Sequence, residues 1–104
     1  MKFPGGMNMK KLMQEAQRIQ EDLQRALEEM RIEATAGGGM VTVVMSGHKQ
    51  IVSLKIDPEV MTDADMLHDL LIAAFNECSR KVDEAVQQQT MKNLNLPGLG
   101  GFFS

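Results

Sequence analysis

The first third of the chain repeats apolar or small side chains at Met9, Leu12, Ala16, Ile19, Leu23, Ala26 and Met30. The intervals alternate between three and four, the period at which an α-helix turns one stripe toward a partner. No Gly or Pro interrupts residues 8–30, and Ile19 is their only β-branched side chain, so intrinsic preference agrees with the pattern. One helix over about 8–30 is predicted, entered from Pro4-Gly5-Gly6 and capped by Asn8. Such a helix runs on the order of 35 Å. That is more than a small domain needs to cover its own core. Two arrangements stay open: a helix packed on its own domain, and one that projects or pairs with a partner chain.

The period then changes to two. Ile32, Ala34 and Ala36 share a face of residues 31–36, Val41, Val43 and Met45 a face of 40–46, and Val52, Leu54 and Ile56 a face of 50–57. Gly37-Gly38-Gly39 separates the first two segments and Gly47-His48 the next two, with glycine expected to supply the positive φ of a tight turn. This is the signature of a three-stranded antiparallel meander. Its other face carries Arg31, Glu33, Thr35, Thr42, Ser46, Ser53 and Lys55 with Val44 and Ile51, a mixture suited to water. Asp57-Pro58 ends the sheet, because proline removes a ladder donor.

Thr62 or Asp63 then caps a second long helix, expected to reach about residue 93, with Leu67, Leu70, Leu71, Ala74, Phe75, Cys78, Val82, Ala85 and Val86 as its apolar stripe. The stripe thins beyond Arg80 into Gln87-Gln88-Gln89-Thr90, so the last turns bury little. The predicted architecture is α+β, in the order αβββα. It forms a single domain over residues 1–104, with flexible ends at about 1–7 and 95–104. Two open sheet edges and an unfilled helical seam predict a two-fold homodimer. The candidate seam residues are Leu12, Ile19 and Leu23 on the first helix and Leu67, Leu71 and Phe75 on the second.

Composition narrows the classes. A chain of 104 residues, 43% apolar and 24% charged, fits one ordinary globular domain and favours a binding or assembly module over an enzyme. Ten Met suit adaptable apolar surfaces, while the absence of Trp and Tyr argues against recognition of single strands by base stacking. One Cys excludes an intrachain disulfide and a multi-cysteine metal site, and fits a reducing compartment. No apolar run approaches the ~20 residues of a membrane span. The opening MKFPGGMNMKKLM lacks the apolar stretch of a secretory signal, so a cytoplasmic location is expected.

The net charge of −3 is unevenly distributed: residues 57–77 hold six acids and no base, whereas the first eleven residues hold Lys2, Lys10 and Lys11 and no acid. Asp63, Asp65 and Asp69 fall at the start of the second helix, where the helix dipole favours them without any further role. Catalytic chemistry is hard to assemble. Cys78 sits at heptad spacing with Leu71 and Ala85 and reads as a core residue, with no sequence logic bringing His48 or His68 to it. His68 with Asp65 and Asp69 reads as a solvated helix face. Gly37-Gly38-Gly39 matches no phosphate-loop pattern. No catalytic constellation, cofactor, metal or small-molecule substrate is expected.

The remaining candidate chemistry is cationic. Lys11, Arg18 and Arg25 recur every seven residues, away from the apolar stripe, and each precedes an acid by four: Glu15, Asp22 and Glu29. Such i,i+4 pairs are ordinary surface features worth a few tenths of a kcal/mol each. Lys10-Lys11 and, on the second helix, Arg80-Lys81 are less compensated. Lys10, Lys11, Arg18, Arg25, Arg80 and Lys81 are therefore the candidates for phosphate contact, doubled in a dimer, in a mode governed by backbone charge and sensitive to salt.

The order of motifs resembles the YbaB/EbfC family of bacterial nucleoid-associated proteins. The residues that carry the resemblance are Gly5-Gly6-Met7-Asn8-Met9-Lys10-Lys11-Leu12-Met13-Gln14-Glu15-Ala16-Gln17, Gly37-Gly38-Gly39-Met40-Val41 and Ser46-Gly47-His48. They continue through Ile56-Asp57-Pro58-Glu59 and Met66-Leu67-x-Asp69-Leu70-Leu71-x-Ala73-Ala74-Phe75-Asn76. The resemblance implies an α+β homodimer with protruding helices that binds double-stranded DNA. It also implies a cytoplasmic, nucleoid-associated location, a part in organising the chromosome and regulating genes, and no catalysis. The alternative expectation is an adaptor for protein partners in DNA repair or recombination, with DNA contact incidental, suggested by the Met-rich and net-acidic surface.

Overall fold

The computed structural model describes residues 9–94, in the order α1 (Met9–Glu29), β1 (Ile32–Ala36), β2 (Val41–Met45), β3 (Ile51–Ile56), a 3-10 turn (Val60–Thr62) and α2 (Ala64–Leu94). The α+β architecture read from the sequence is the one observed, with element ends within about two residues of those expected. The Asn8 cap and the ends at 1–7 and 95–104 lie outside the described residues.

The strands form one antiparallel sheet in the order β1-β2-β3. Pairing of Ala34 with Val43 and of Ala36 with Val41 sets the inward residues of β1 and β2 on one face, and α2 crosses that face. The core lies between them: Ala34, Val41, Val43 and Met45 from the sheet meet Ala74, Cys78 and Val82 from the helix. Leu67, Leu71 and Phe75 lean on this cluster half-buried. Full burial of each Val contributes about 1.5–3 kcal/mol, so this small layer carries much of the stability. Among the described residues no buried side-chain nitrogen or oxygen lacks a partner.

Asp63 caps α2, its Oδ1 accepting the Met66 N–H at 3.1 Å. That acid therefore has a structural role, as its place at a helix start predicts. Between β3 and α2, Asp57 Oδ1 accepts the Glu59 N–H at 3.0 Å, and the chain turns through a short 3-10 segment that buries Val60. The sequence pattern gave no sign of this turn.

Three expectations about the second hairpin need correction. The positive φ lies at Lys49 (63°), not at Gly47. Gly47 is needed for close approach: its N–H donates to Leu27 O at 2.7 Å, and a β-carbon there would stand 2.7 Å from that same oxygen. Ser46 is 2% exposed rather than wet, and its hydroxyl accepts from the His48 and Gln50 N–H groups at 3.2 and 3.3 Å. Finally, β3 holds a bulge. Val44 pairs with Ser53 but Met45 with Ile51, so Val52 is an extra residue, and Ile51 joins the face expected for Val52.

The molecule is long, with extents of 70 × 28 × 16 Å. Its radius of gyration of 20.4 Å far exceeds the roughly 13 Å of a compact chain this size. The cause is α1. Only Leu27, near its C-terminal end, is buried. Of the two arrangements left open by the sequence, the projecting one is observed.

Candidate nucleic-acid interface

The 21 residues of α1 span about 32 Å. The helix is fixed at its root, where Leu27 packs inward and Leu27 O accepts from Gly47. Arg31 closes the end by donating from Nη1 to Glu28 O at 2.9 Å and Met30 O at 2.7 Å. Orphan carbonyls at a helix C-terminus favour such a cation. From this root the helix runs outward with little contact to its own chain. The seam residues accordingly divide. Leu12 and Ile19 are 37% and 58% exposed and Leu23 is half-buried, whereas Leu67, Leu71 and Phe75 pack on the core.

The cations of α1 lie on the flank away from this seam. Arg25 Nη1 pairs with Asp22 Oδ1 at 3.5 Å, both side chains more than 60% exposed. The i,i+4 spacing suggested Glu29 as its partner; the structure instead uses the acid one turn toward the N-terminus. An exposed pair of this kind holds its partners loosely, at well under 1 kcal/mol. Lys11, Gln14, Glu15 and Arg18 line a shallow groove along the helix, and Gln17, Gln20, Glu21, Gln24, Arg25 and Glu28 line a second. The glutamines were not singled out from sequence, although their spacing of three and four puts them on one flank. Their amides can donate to phosphate or sugar oxygens beside the cations.

Charge along α1 is graded. Residues 9–14 carry Lys10 and Lys11 and no acid, while residues 15–29 interleave Arg18 and Arg25 with Glu15, Glu21, Asp22, Glu28 and Glu29. The outer end is the positive part, and it lies farthest from the acidic start of α2. Exposed charges beyond a screening length of about 10 Å act almost independently, so the tip presents its own local field.

Arg80 and Lys81 sit in a different setting. Arg80 donates to Glu77 and Glu84, each at 2.6 Å. This clamp holds the Glu77 carboxyl below its ordinary range, chiefly through the hydrogen bond from Arg80, and raises Arg80 further. Lys81 Nζ donates to Glu33 O at 3.0 Å, tying α2 to β1. The structure therefore does not bring the two groups of cations together: one is on an outstretched rod, the other against the body of the domain.

Cys78 is 0% exposed, and its thiol donates to Ile32 O at 3.2 Å. Burial pushes its pKa up, so it has the setting of a packing residue and not of a nucleophile. Among the described residues no group of three or more His, Cys, Asp or Glu could hold a metal ion, and no helix is long and apolar enough to cross a membrane.

Comparison with known proteins agrees with this arrangement. The profile of the YbaB/EbfC DNA-binding family matches residues 5–96. A nucleoid-associated protein of Koribacter versatilis is 49% identical over 100 residues, covering 94% of this chain and 99% of that protein. One from Xylella fastidiosa is 52% identical over 79 residues, 73% of this chain and 74% of its own length. One from Thermoanaerobacter pseudethanolicus is 41% identical over 105 residues, 93% and 95% of the two chains. Among solved structures, an uncharacterized protein of Helicobacter pylori shares the fold, with a TM-score of 0.64 and 24% identity over 77% of this chain and 95% of that one.

Proposed function

The chain belongs to the YbaB/EbfC DNA-binding family, and on that premise we propose that it is a nucleoid-associated protein that grips double-stranded DNA as a homodimer. In this reading the contacts go to backbone phosphates, the protein resides with the chromosome, and its binding compacts DNA and modulates transcription. The observation that carries the reading is α1: a helix held only at Leu27, running clear of the core, with Lys10 and Lys11 at its outer end and no acid in residues 9–14. Two such helices in a dimer make a pair of rods with cationic tips, and Arg18 and Arg25 continue the contact inward. Arg80 and Lys81, already engaged by Glu77, Glu84 and Glu33 O, contribute less.

Acidity of the whole chain opposes nonspecific attraction to DNA, so binding depends on local cations and responds steeply to salt. With ~4–6 phosphates neutralised per dimer, log K falls against log salt with a slope of about −4 to −5. Titration of a labelled duplex at several salt concentrations tests this. The expected result is binding at low salt with that slope; absence of binding at low salt, or a flat response, overturns the reading.

A further inference from the structure

The two borders of the sheet are not equivalent. Backbone phase shows why. Asp57 N donates to Met40 O at 2.8 Å, and antiparallel pairs alternate between bonded and non-bonded. Lys55 and Ser53, opposite Thr42 and Val44, therefore turn their N–H and C=O groups toward β2, and Leu54 and Ile56 turn theirs outward. The same alternation carried across β2 leaves Glu33 and Thr35 outward on β1. There the border is guarded: Glu33 O is the carbonyl that receives Lys81 Nζ at 3.0 Å. A lysine at a sheet edge blocks strand addition.

Nothing comparable covers β3 among the described residues. It packs appreciably on β2 alone. Ile51, Val52 and Leu54 are 51%, 48% and 42% exposed, although they follow the apolar pattern of a buried strand. The outward N–H and C=O groups of Leu54 thus sit beside exposed apolar side chains.

We propose that β3 is the border at which a second copy of this chain joins, antiparallel, across a two-fold axis at Leu54, making one continuous six-stranded sheet. The inference rests on the dimeric reading given above and assigns the surface that makes the dimer. The occupant follows from self-complementarity. An axis at Leu54 sets Leu54 against Leu54 of the second copy as a hydrogen-bonded pair, and sets Lys55 opposite Ser53 of the second copy. No like charges meet, as they would with the axis at Lys55. Two-fold pairing uses the same strand on both copies and closes on itself.

The test uses the full chain carrying Leu54→Cys, with Thr35→Cys on the guarded border as control, each treated with diamide at micromolar concentration. Directly opposed residues in a bonded pair lie about 5.5 Å apart at Cα, within disulfide reach. Leu54→Cys is expected to convert mostly to a covalent dimer, and Thr35→Cys to at most a tenth as much. In parallel, Leu54→Pro removes an outward N–H that the monomer does not use. It is expected to keep helical circular dichroism while its mass by light scattering falls from two chains to one. A wild-type dimer that shows neither the cross-link nor the loss of mass overturns the β3 joint and leaves the dimer standing. A monomeric wild type overturns both. If Leu54→Pro does not fold, the Leu54→Cys yield decides alone. Dimerisation retained in Leu54→Pro alongside capture of a foreign extended peptide at β3 also overturns the proposal.

Discussion

Gly47 and Leu27 touch backbone to backbone: the glycine N–H donates to Leu27 O at 2.7 Å, and the Leu27 Cα lies 2.9 Å from where a β-carbon at residue 47 would be. This contact joins the hairpin between β2 and β3 to the root of α1. Gly47→Ala forces two backbones apart and is expected to destabilise the fold by about 1–3 kcal/mol, the usual cost of overpacking. Urea unfolding checks it. A change below the error of the midpoint would show that the contact yields without strain.

The outer end of α1 is tested by Lys10→Glu combined with Lys11→Glu. Each lost phosphate contact removes about 0.9 from the salt slope. The double variant is expected to bind duplex DNA at least tenfold more weakly and with a shallower slope, uniformly across sequences, while its mass in solution is unchanged. Gel shift against light scattering separates the two effects. Unaltered affinity would remove the tip from the interface.

Arg80, clamped between Glu77 and Glu84, is expected to behave differently. Arg80→Ala should weaken DNA binding much less than the tip variant does. It should also let the Glu77 carboxyl titrate at its ordinary value, which NMR reads directly. The sign of the pH effect follows from the lowered pKa of Glu77. A carboxyl depressed in the folded state adds stability above its unfolded value and loses it as pH falls through the folded value. The difference in stability between wild type and Arg80→Ala should therefore be present at neutral pH and shrink in acid, below the usual carboxylate range.

The buried thiol gives a fourth prediction. With Cys78 fully enclosed and its pKa raised by burial, thiol reagents should react with it only as fast as the protein opens. Denaturant should accelerate labelling in step with unfolding. Cys78→Ala should retain DNA binding. Rapid labelling of the native protein would place the thiol outside the core.

Much of the fold was legible because periodicity is a direct consequence of burial. The 3-4 repeat marked α1, alternation marked Ile32–Ala36 and Val41–Met45, and Asp63 signalled the α2 cap. Illegible features depend on contacts distant in sequence. Nothing local distinguishes a glycine that supplies positive φ from one, such as Gly47, that admits a passing backbone. The Val52 bulge is invisible because a strand pattern records alternation on one chain and not the length of its neighbour. Arg80 and Lys81 looked like partners of the α1 cations in a list of charges; only the fold shows one clamped by acids and the other holding Glu33 O, 48 positions away. The seam was read correctly as apolar, but its emptiness at Leu12 and Ile19 is a matter of tertiary placement.

The single anchorage of α1 makes it a lever. Lys10 stands about 25 Å along the helix from Leu27, so a tilt of about 10° at the root carries the tip by about 4 Å. Successive phosphates on one strand are spaced by a similar distance, about 3.4 Å along the duplex axis. A slight flexing of the fulcrum is then enough to let the ammonium groups step from one phosphate to the next, which gives a hold that follows the contour of the double helix and is indifferent to the letters written inside it.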